Sequence, residues 1–279
     1  MPTLNRETIK ANGWALGRVF TAGSAPTLVN LIPDKHKDDD SIYVAVTHDC
    51  SIINPCLSSE PYVEYLSARP IASENGHFVN ARNIRRLHFQ IEVNGSPTWY
   101  EASMSFRGFI DRQSIETCAP DEDYTLTNQS CLVLKRWLSN RYVSQTFPDR
   151  FNDLTSHLVA NSKAPLIKAF NTEIGKACHS IFISLTPDDQ DLPPEESYEL
   201  TVLLLFREDI AIDIGRPALA EFGDRIKETL SSTRGLEPIN VFALTDADAT
   251  YAQIVKMTRW QLDYVSLKDD SEVIAVEHS

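Results

Sequence analysis

Leu87, Phe89, Ile91 and Val93 alternate with Arg86, His88, Gln90 and Glu92, and this period of two predicts a strand with one apolar face. Beyond Asn94-Gly95-Ser96-Pro97, the residues Tyr100, Ala102, Met104 and Phe106 alternate in step. Asn-Gly between two such runs marks a hairpin. A four-residue loop pairs Val93 with Thr98, Ile91 with Tyr100, Phe89 with Ala102 and Leu87 with Met104, and sets His88 opposite Ser103. All the large apolar residues then share one face.

Further short strands are predicted over 15–20, 42–47, 62–68 and 108–115. Several twisted strands with one apolar face must close or pack, so residues 1–120 are expected to form a small β-barrel. From 121 to 176 the apolar spacing turns helical. Cys131, Leu134, Trp137, Leu138 and Tyr142 share one helix face. Pro148 opens a second helix with Phe151, Leu154 and Leu158 inward, and a third covers 165–175 with Leu166, Phe170 and Ile174. This stretch is expected to be a helical connector.

Residues 177–279 alternate strand and helix. Strands are predicted at 180–185, 200–206, 239–244 and 260–267. The run from Leu200 to Phe206 is apolar almost throughout, as in a strand covered on both faces. A helix runs from Pro217 to a stop at Gly235, and Thr245 with Asp248 reads as the cap of a shorter one. The expected fold class is therefore α+β: a small barrel, a helical connector and a C-terminal α/β sandwich with a mixed sheet. The loop 187–197 is the segment expected to be mobile.

Composition narrows the class of protein. Hydrophobic residues make up 42% and charged residues 23% of the 279, which suits a folded protein. Apolar runs are too short to span a bilayer, and Met1 to Glu7 lacks a signal layout, so a cytoplasmic protein without membrane contact is expected. Five cysteines at 50, 56, 118, 131 and 178 leave one unpaired, which agrees with a reducing compartment. The net charge of −13 divides into −2 over residues 1–150 and −11 over 151–279. The acidic half repels a phosphate backbone, so RNA or DNA is expected only at the N-terminal half and a protein partner at the C-terminal half.

The strand from Ile42 delivers Thr47, His48, Asp49 and Cys50 to its end. Cys50 with His48 two residues away is the pattern of an activated thiol; a small buried cysteine is the ordinary alternative. Arg85, Arg86 and His88 lead into the hairpin as catalytic candidates. Arg82, Trp99, Arg107 and Arg112 are candidates for nucleic-acid contact, because arginines interleaved with an aromatic suit phosphate binding and base stacking. Cross-strand ion pairs such as Arg86 with Glu101 are the competing reading. No phosphate loop, nucleophile elbow or zinc spacing is present. No cofactor and no metal is expected.

Residues 14–117 resemble the small-barrel toxin endoribonucleases of the MazF/PemK type. The likeness rests on the strand and polar loop from Val44 to Asp49, the strand ending Arg69-Pro70-Ile71, the hairpin, and the run from Phe109 to Ile115. That family's arginine before the central strand is replaced by Asp38, Asp39, Asp40 and Ser41, and its threonine after the proline by Ala72 and Ser73. The resemblance implies metal-independent RNA cleavage by 2′-hydroxyl attack, with Arg85, Arg86 or His88 filling the roles of arginine and base. Two functions stay open: a ribonuclease-like toxin or defence effector acting from the barrel, and a non-catalytic interaction protein using its acidic module on a basic partner or on itself. A Cys50-dependent hydrolase is a third.

Overall fold

The computed structural model describes residues 4–38, 40–143, 147–161 and 163–262. The fold is α+β, and the chain divides into two compact units, Met1–Val143 and Ser144–Ser279. No helix of the described residues is long and apolar enough to cross a membrane.

In the first unit, helix α1 (Arg6–Ala11), β1 (Val19–Phe20) and α2 (Pro26–Leu31) precede β2 (Ile42–Ala45) and the short α3 (Asp49–Ile52). Three long strands follow: β3 (Tyr62–Ile71), β4 (Arg86–Val93) and β5 (Ser96–Asp111). A 3-10 turn (Arg112–Thr117), β6 (Tyr124–Leu126) and α4 (Asn128–Val143) complete the unit. The six strands make one sheet in the order β1-β2-β3-β5-β4-β6. Its ends approach each other where the Asp121 N–H donates to the Val19 carbonyl at 2.7 Å, so the sheet is nearly closed and barrel-like.

Strand β5 makes this curvature possible. Its first half pairs with β4 on one side, β3 pairs with it on the other over both 99–102 and 107–111, and the β3 register shifts between Leu66 and Ala68, whose partners are Arg107 and Ala102. The extra residues of β5 at that point bend the strand, as bulges do. One apolar cluster, with Val44, Leu66, Leu87, Phe89 and Tyr100, is sealed by Leu134 and Trp137 of α4. A second, with Tyr43, Val63, Tyr65 and Ile110, is sealed by Ile9, Leu28 and Ile52 from the short helices.

The hairpin differs from expectation in one respect. Asn94 and Gly95 both have positive φ, 50° and 77°, and close a two-residue turn with Val93 opposite Ser96. Two consecutive left-handed residues match the twist of the flanking strands better than a longer loop does. The register therefore slips by two: Ile91 faces Thr98, Phe89 faces Tyr100, and His88 faces Glu101 rather than Ser103. A slip of two keeps every side chain on its own face, so the apolar face survives.

The helices expected as a connector belong to the two units instead. Helix α4 packs on the barrel, while Phe151 and Leu158 of α5 (Asp149–Val159) and Leu166 and Phe170 of α6 (Pro165–Phe170) enter the core of the second unit. The helix expected over 165–175 breaks at Asn171. Thr172 caps a separate α7 (Glu173–Ala177), accepting from the Gly175 N–H. Gly175 lies so close to Ala169 and Phe170 that a Cβ would meet the Ala169 carbonyl at 2.3 Å, so only glycine fits the break.

The second unit holds β7 (Cys178–Thr186), β8 (Tyr198–Phe206), α8 (Glu208–Ile214), α9 (Arg216–Ser231), β9 (Leu236–Thr245), α10 (Tyr251–Ile254) and β10 (Thr258–Arg259). The sheet order is β10-β7-β8-β9, with β8 and β9 parallel and the other pairs antiparallel. Thr245 and Asp248 form a turn rather than a helix cap, and the capping box is Thr250 with Gln253. The strand expected over 260–267 lies outside the described residues beyond Leu262.

The loop 187–197 is tied down. The Arg150 guanidinium donates to the carbonyls of Leu192 (2.8 Å), Pro193, Pro194 (3.1 Å) and Glu196 (2.9 Å), and lies over the Tyr198 ring. Charge-assisted bonds of this kind are about twice as strong as neutral ones.

Candidate functional site

The register slip decides what surrounds Glu101. His88 Nε2 stands 2.8 Å from Glu101 Oε2, Arg86 Nη2 2.5 Å from the same oxygen, and Arg69 Nη2 3.0 Å from Oε1. His88 Nδ1 accepts the Asn75 N–H at 3.0 Å, which requires a lone pair there and puts the ring proton on Nε2, aimed at the carboxylate. The Phe78 ring packs against His88, with centroids 5.0 Å apart, and the Arg86 guanidinium lies 4.8 Å over it. The loop 72–85 is thereby fastened over β4 and β5.

Burial alone would raise the Glu101 carboxyl. The His88 hydrogen bond, the Arg86 charge and the Arg69 hydrogen bond overcome it and hold the group at about 2. A carboxylate that far down takes no proton at neutral pH, so this cluster is a poor general base. Beside it, burial and then the charges of Arg82 and Arg86 push His77 down to about 4. The cluster is a satisfied buried ion network, and Arg86 and His88 are structural within it. Arg85 adjoins it; its backbone N–H, like that of Arg86, donates to Asn83 Oδ1.

Two expected nucleic-acid contacts are buried instead. Arg82 donates from Nη1 to the Gly76 carbonyl at 2.6 Å. Arg112 donates to the carbonyls of Ser51, Ile52 (3.2 Å) and Cys56 (2.9 Å), closing the turn after α3. Neither guanidinium reaches solvent. Trp99 is half-buried, between Ile71 and Gln90 in the ladder.

Nor do the candidates form one site. His48, Asp49 and Cys50 follow β2, whereas His88 is on β4, and β3 and β5 lie between those strands. All three are exposed. His48 caps α3, its Nδ1 accepting the Cys50 N–H at 3.2 Å, and Asp49 Oδ1 accepts the Leu16 N–H at 2.6 Å. His48 Nδ1 serves the backbone rather than the Cys50 thiol.

A second constellation does assemble at that strand end. Thr47 Oγ1 accepts the Glu64 N–H at 2.6 Å, joining the end of β2 to β3. Arg107, diagonal to Glu64 in the β3–β5 ladder, sets Nε 2.9 Å from Glu64 Oε1 and donates from Nη2 to the Tyr142 hydroxyl at 3.1 Å. Burial raises the Glu64 carboxyl above its ordinary value, and the Arg107 charge offsets this only in part. Glu64 Oε1 is buried and accepts no aligned hydrogen bond, so its contact with Arg107 is ionic. Tyr62 and Phe109 flank the pair, 55% and 59% exposed with ring centroids 6.3 Å apart, and Tyr142 is 72% exposed.

A half-buried carboxylate raised above its ordinary value, a guanidinium beside it and a border of exposed rings bring a proton acceptor, a cation and stacking surfaces to one place. Of these residues only Arg107, with Thr47 and His48 nearby, was legible as a candidate. The one sequence signal for Glu64 is a carboxylate interrupting the apolar run of β3 between Val63 and Tyr65. Among the described residues no group of three or more His, Cys, Asp or Glu is placed to hold a metal ion. Comparison with family models, curated proteins and solved structures returns no match, so the geometry alone carries the functional argument.

Proposed function

We propose that the N-terminal unit is a nucleic-acid-directed effector, a ribonuclease-like toxin or defence protein, that binds single-stranded RNA across β3 and β5 and cleaves it through the 2′-hydroxyl. The observation that carries this reading is the Glu64–Arg107 ion pair bordered by Tyr62, Phe109 and Tyr142. The nearly closed six-stranded sheet and the MazF/PemK-type resemblance support it at the level of fold alone.

Glu64 takes the proton of the 2′-hydroxyl as that oxygen attacks phosphorus. Arg107 offsets the charge that builds on the non-bridging oxygens. The bond from phosphorus to the 5′-oxygen breaks, leaving a 2′,3′-cyclic phosphate and a free 5′-hydroxyl. The departing 5′-oxygen takes its proton from solvent, and the protonated Glu64 returns one to solvent to complete the cycle. The rings supply base stacking, worth about 1–3 kcal/mol per base.

The test is cleavage of a mixed-sequence RNA oligonucleotide and its all-deoxy counterpart by wild type, Glu64→Gln and Arg107→Ala. Cleavage of RNA alone, ending in cyclic phosphate and lost in both variants, is the expected result. Undiminished cleavage in both variants, or a folded wild type that neither binds nor cuts RNA, overturns it.

A further inference from the structure

Strand β9 is an edge of its sheet among the described residues. Among the described residues it pairs only with β8, along almost its whole ten-residue length. The opposite edge of the sheet is the two-residue β10. An unpaired edge strand presents a row of backbone donors and acceptors, and proteins ordinarily blunt such edges with lysines, prolines, bulges or a very short strand. From Ile239 to Thr245, β9 has none of the first two: the sequence is Ile-Asn-Val-Phe-Ala-Leu-Thr, and Pro238 precedes it. The β8–β9 register is unbroken from Leu200 with Ile239 to Phe206 with Thr245.

Helix α9 packs beneath this edge. A Cβ on Gly223 of α9 would sit 3.4 Å from the Ala243 Cβ and 3.9 Å from Val241, so the helix lies close against one face of the strand. On the other face Asn240 and Phe242 are exposed, Phe242 by 53%. An edge strand with an exposed ring and no lysine or proline from 239 to 245 is a template for strand addition.

Charge selects the occupant. The unit Ser144–Ser279 carries a net −11, and exposed Glu237 and Asp246 stand at the two ends of the edge. A second copy would bring the same −11 against it, and like-charge juxtaposition disfavours that pairing. We propose that β9 docks an extended, Lys/Arg-rich segment of a partner protein, whose backbone pairs with residues 239–244 and whose apolar side chains pack beside Phe242. This inference is independent of the RNA reading.

The probe is a 12-residue peptide alternating Lys and Val, with a Glu/Val peptide and a backbone N-methylated Lys/Val peptide as controls, titrated into the full chain. Readouts are fluorescence anisotropy and amide hydrogen exchange. Expected are saturable binding of the Lys/Val peptide, at least tenfold weaker binding of both controls, and exchange protection centred on 239–244. Phe242→Lys, at an exposed position, should fold normally and weaken binding at least tenfold. Equal binding of the Glu/Val peptide, protection elsewhere, no binding, or unchanged affinity in Phe242→Lys overturns the proposal. So does a concentration-dependent dimer with 239–244 protected, which would make the occupant a second copy.

Discussion

Arg107 holds Glu64 and Tyr142 at once, with Nε 2.9 Å from the carboxylate and Nη2 donating to the phenol at 3.1 Å. The carboxyl that burial raises is therefore paired to the guanidinium that only partly lowers it. Cleavage should depend on pH through this pair. As pH falls, Glu64 takes a proton and kcat/KM drops, with a midpoint above the ordinary value of 4.5. Arg107→Ala removes the nearby cation, so the residual activity should lose its acidic limb at a still higher pH. A pH–rate profile of both proteins checks this, and an acidic limb that moves downward in the variant would refute it.

The two residues should separate from the aromatic border kinetically. Glu64→Gln is expected to lower kcat by about 10²–10⁴-fold, the range of general acid–base catalysis, with binding nearly unchanged. Tyr62→Ala and Phe109→Ala remove stacking and should weaken RNA binding by about 5–100-fold each. Single-turnover rates and equilibrium binding, measured side by side, distinguish the two.

Glu101 should govern acid stability. Its carboxyl is depressed in the folded state to about 2 from an ordinary 4.5, so its stabilisation is complete above pH 4.5 and is lost as pH falls towards 2. The shift corresponds to about 3 kcal/mol. Glu101→Gln leaves Arg86 and Arg69 without their shared anion, and should cost about 3–5 kcal/mol at neutral pH while flattening the acid dependence between pH 4.5 and 2. Urea unfolding across that window is the measurement.

Gly108 faces Tyr65 in the β3–β5 ladder, and a Cβ there would meet Tyr65 Oη at 2.5 Å and Cζ at 2.7 Å. The Tyr65 ring is fully buried and its hydroxyl is 2.8 Å from His36 Nδ1, so it cannot swing aside cheaply. Gly108→Ala should destabilise the unit by about 1–3 kcal/mol. Tyr65→Phe should not rescue it, because the ring carbons clash as well. Thermal unfolding of the single and double variants decides this.

Arg150→Ala should release the loop 187–197. The loop keeps the Tyr198 hydroxyl, which donates to the Gln190 carbonyl and accepts the Leu192 N–H, but loses its cationic clamp. Faster proteolysis between Asp188 and Ser197, with the rest of the chain intact, is expected. Unchanged cleavage would show that the clamp contributes nothing.

The α+β class, and the strands expected at 42–47, 62–68, 87–93, 98–106, 180–185, 200–206 and 239–244, were legible because each carries its own periodicity. What depended on pairing was less so. Period two assigns a side chain to a face but is blind to a slip of two, so Ser103 and Glu101 were equivalent partners for His88. Glu64 meets Arg107 only through the bulge beside Leu66, which no local pattern announces. Tyr142 fits the inward phase of α4 yet is exposed at its last turn. The Arg150 clamp joins segments 42 to 46 residues apart, and composition, which is local, reads a proline-rich acidic loop as mobile for that reason.

The turn at Asn94-Gly95 has a consequence for how this chain tolerates change. Replacing Asn94 and Gly95 by β-branched residues, which reject the positive φ of this turn, would alter no contact of the buried network directly, and a four-residue loop over 94–97 would still keep every apolar side chain on its face. The strands would nonetheless re-pair with Ser103 across from His88, leaving Glu101 displaced along β5 from the cations that hold it. Turn chemistry at an exposed tip is thus a coding variable for a cluster five ladder positions away.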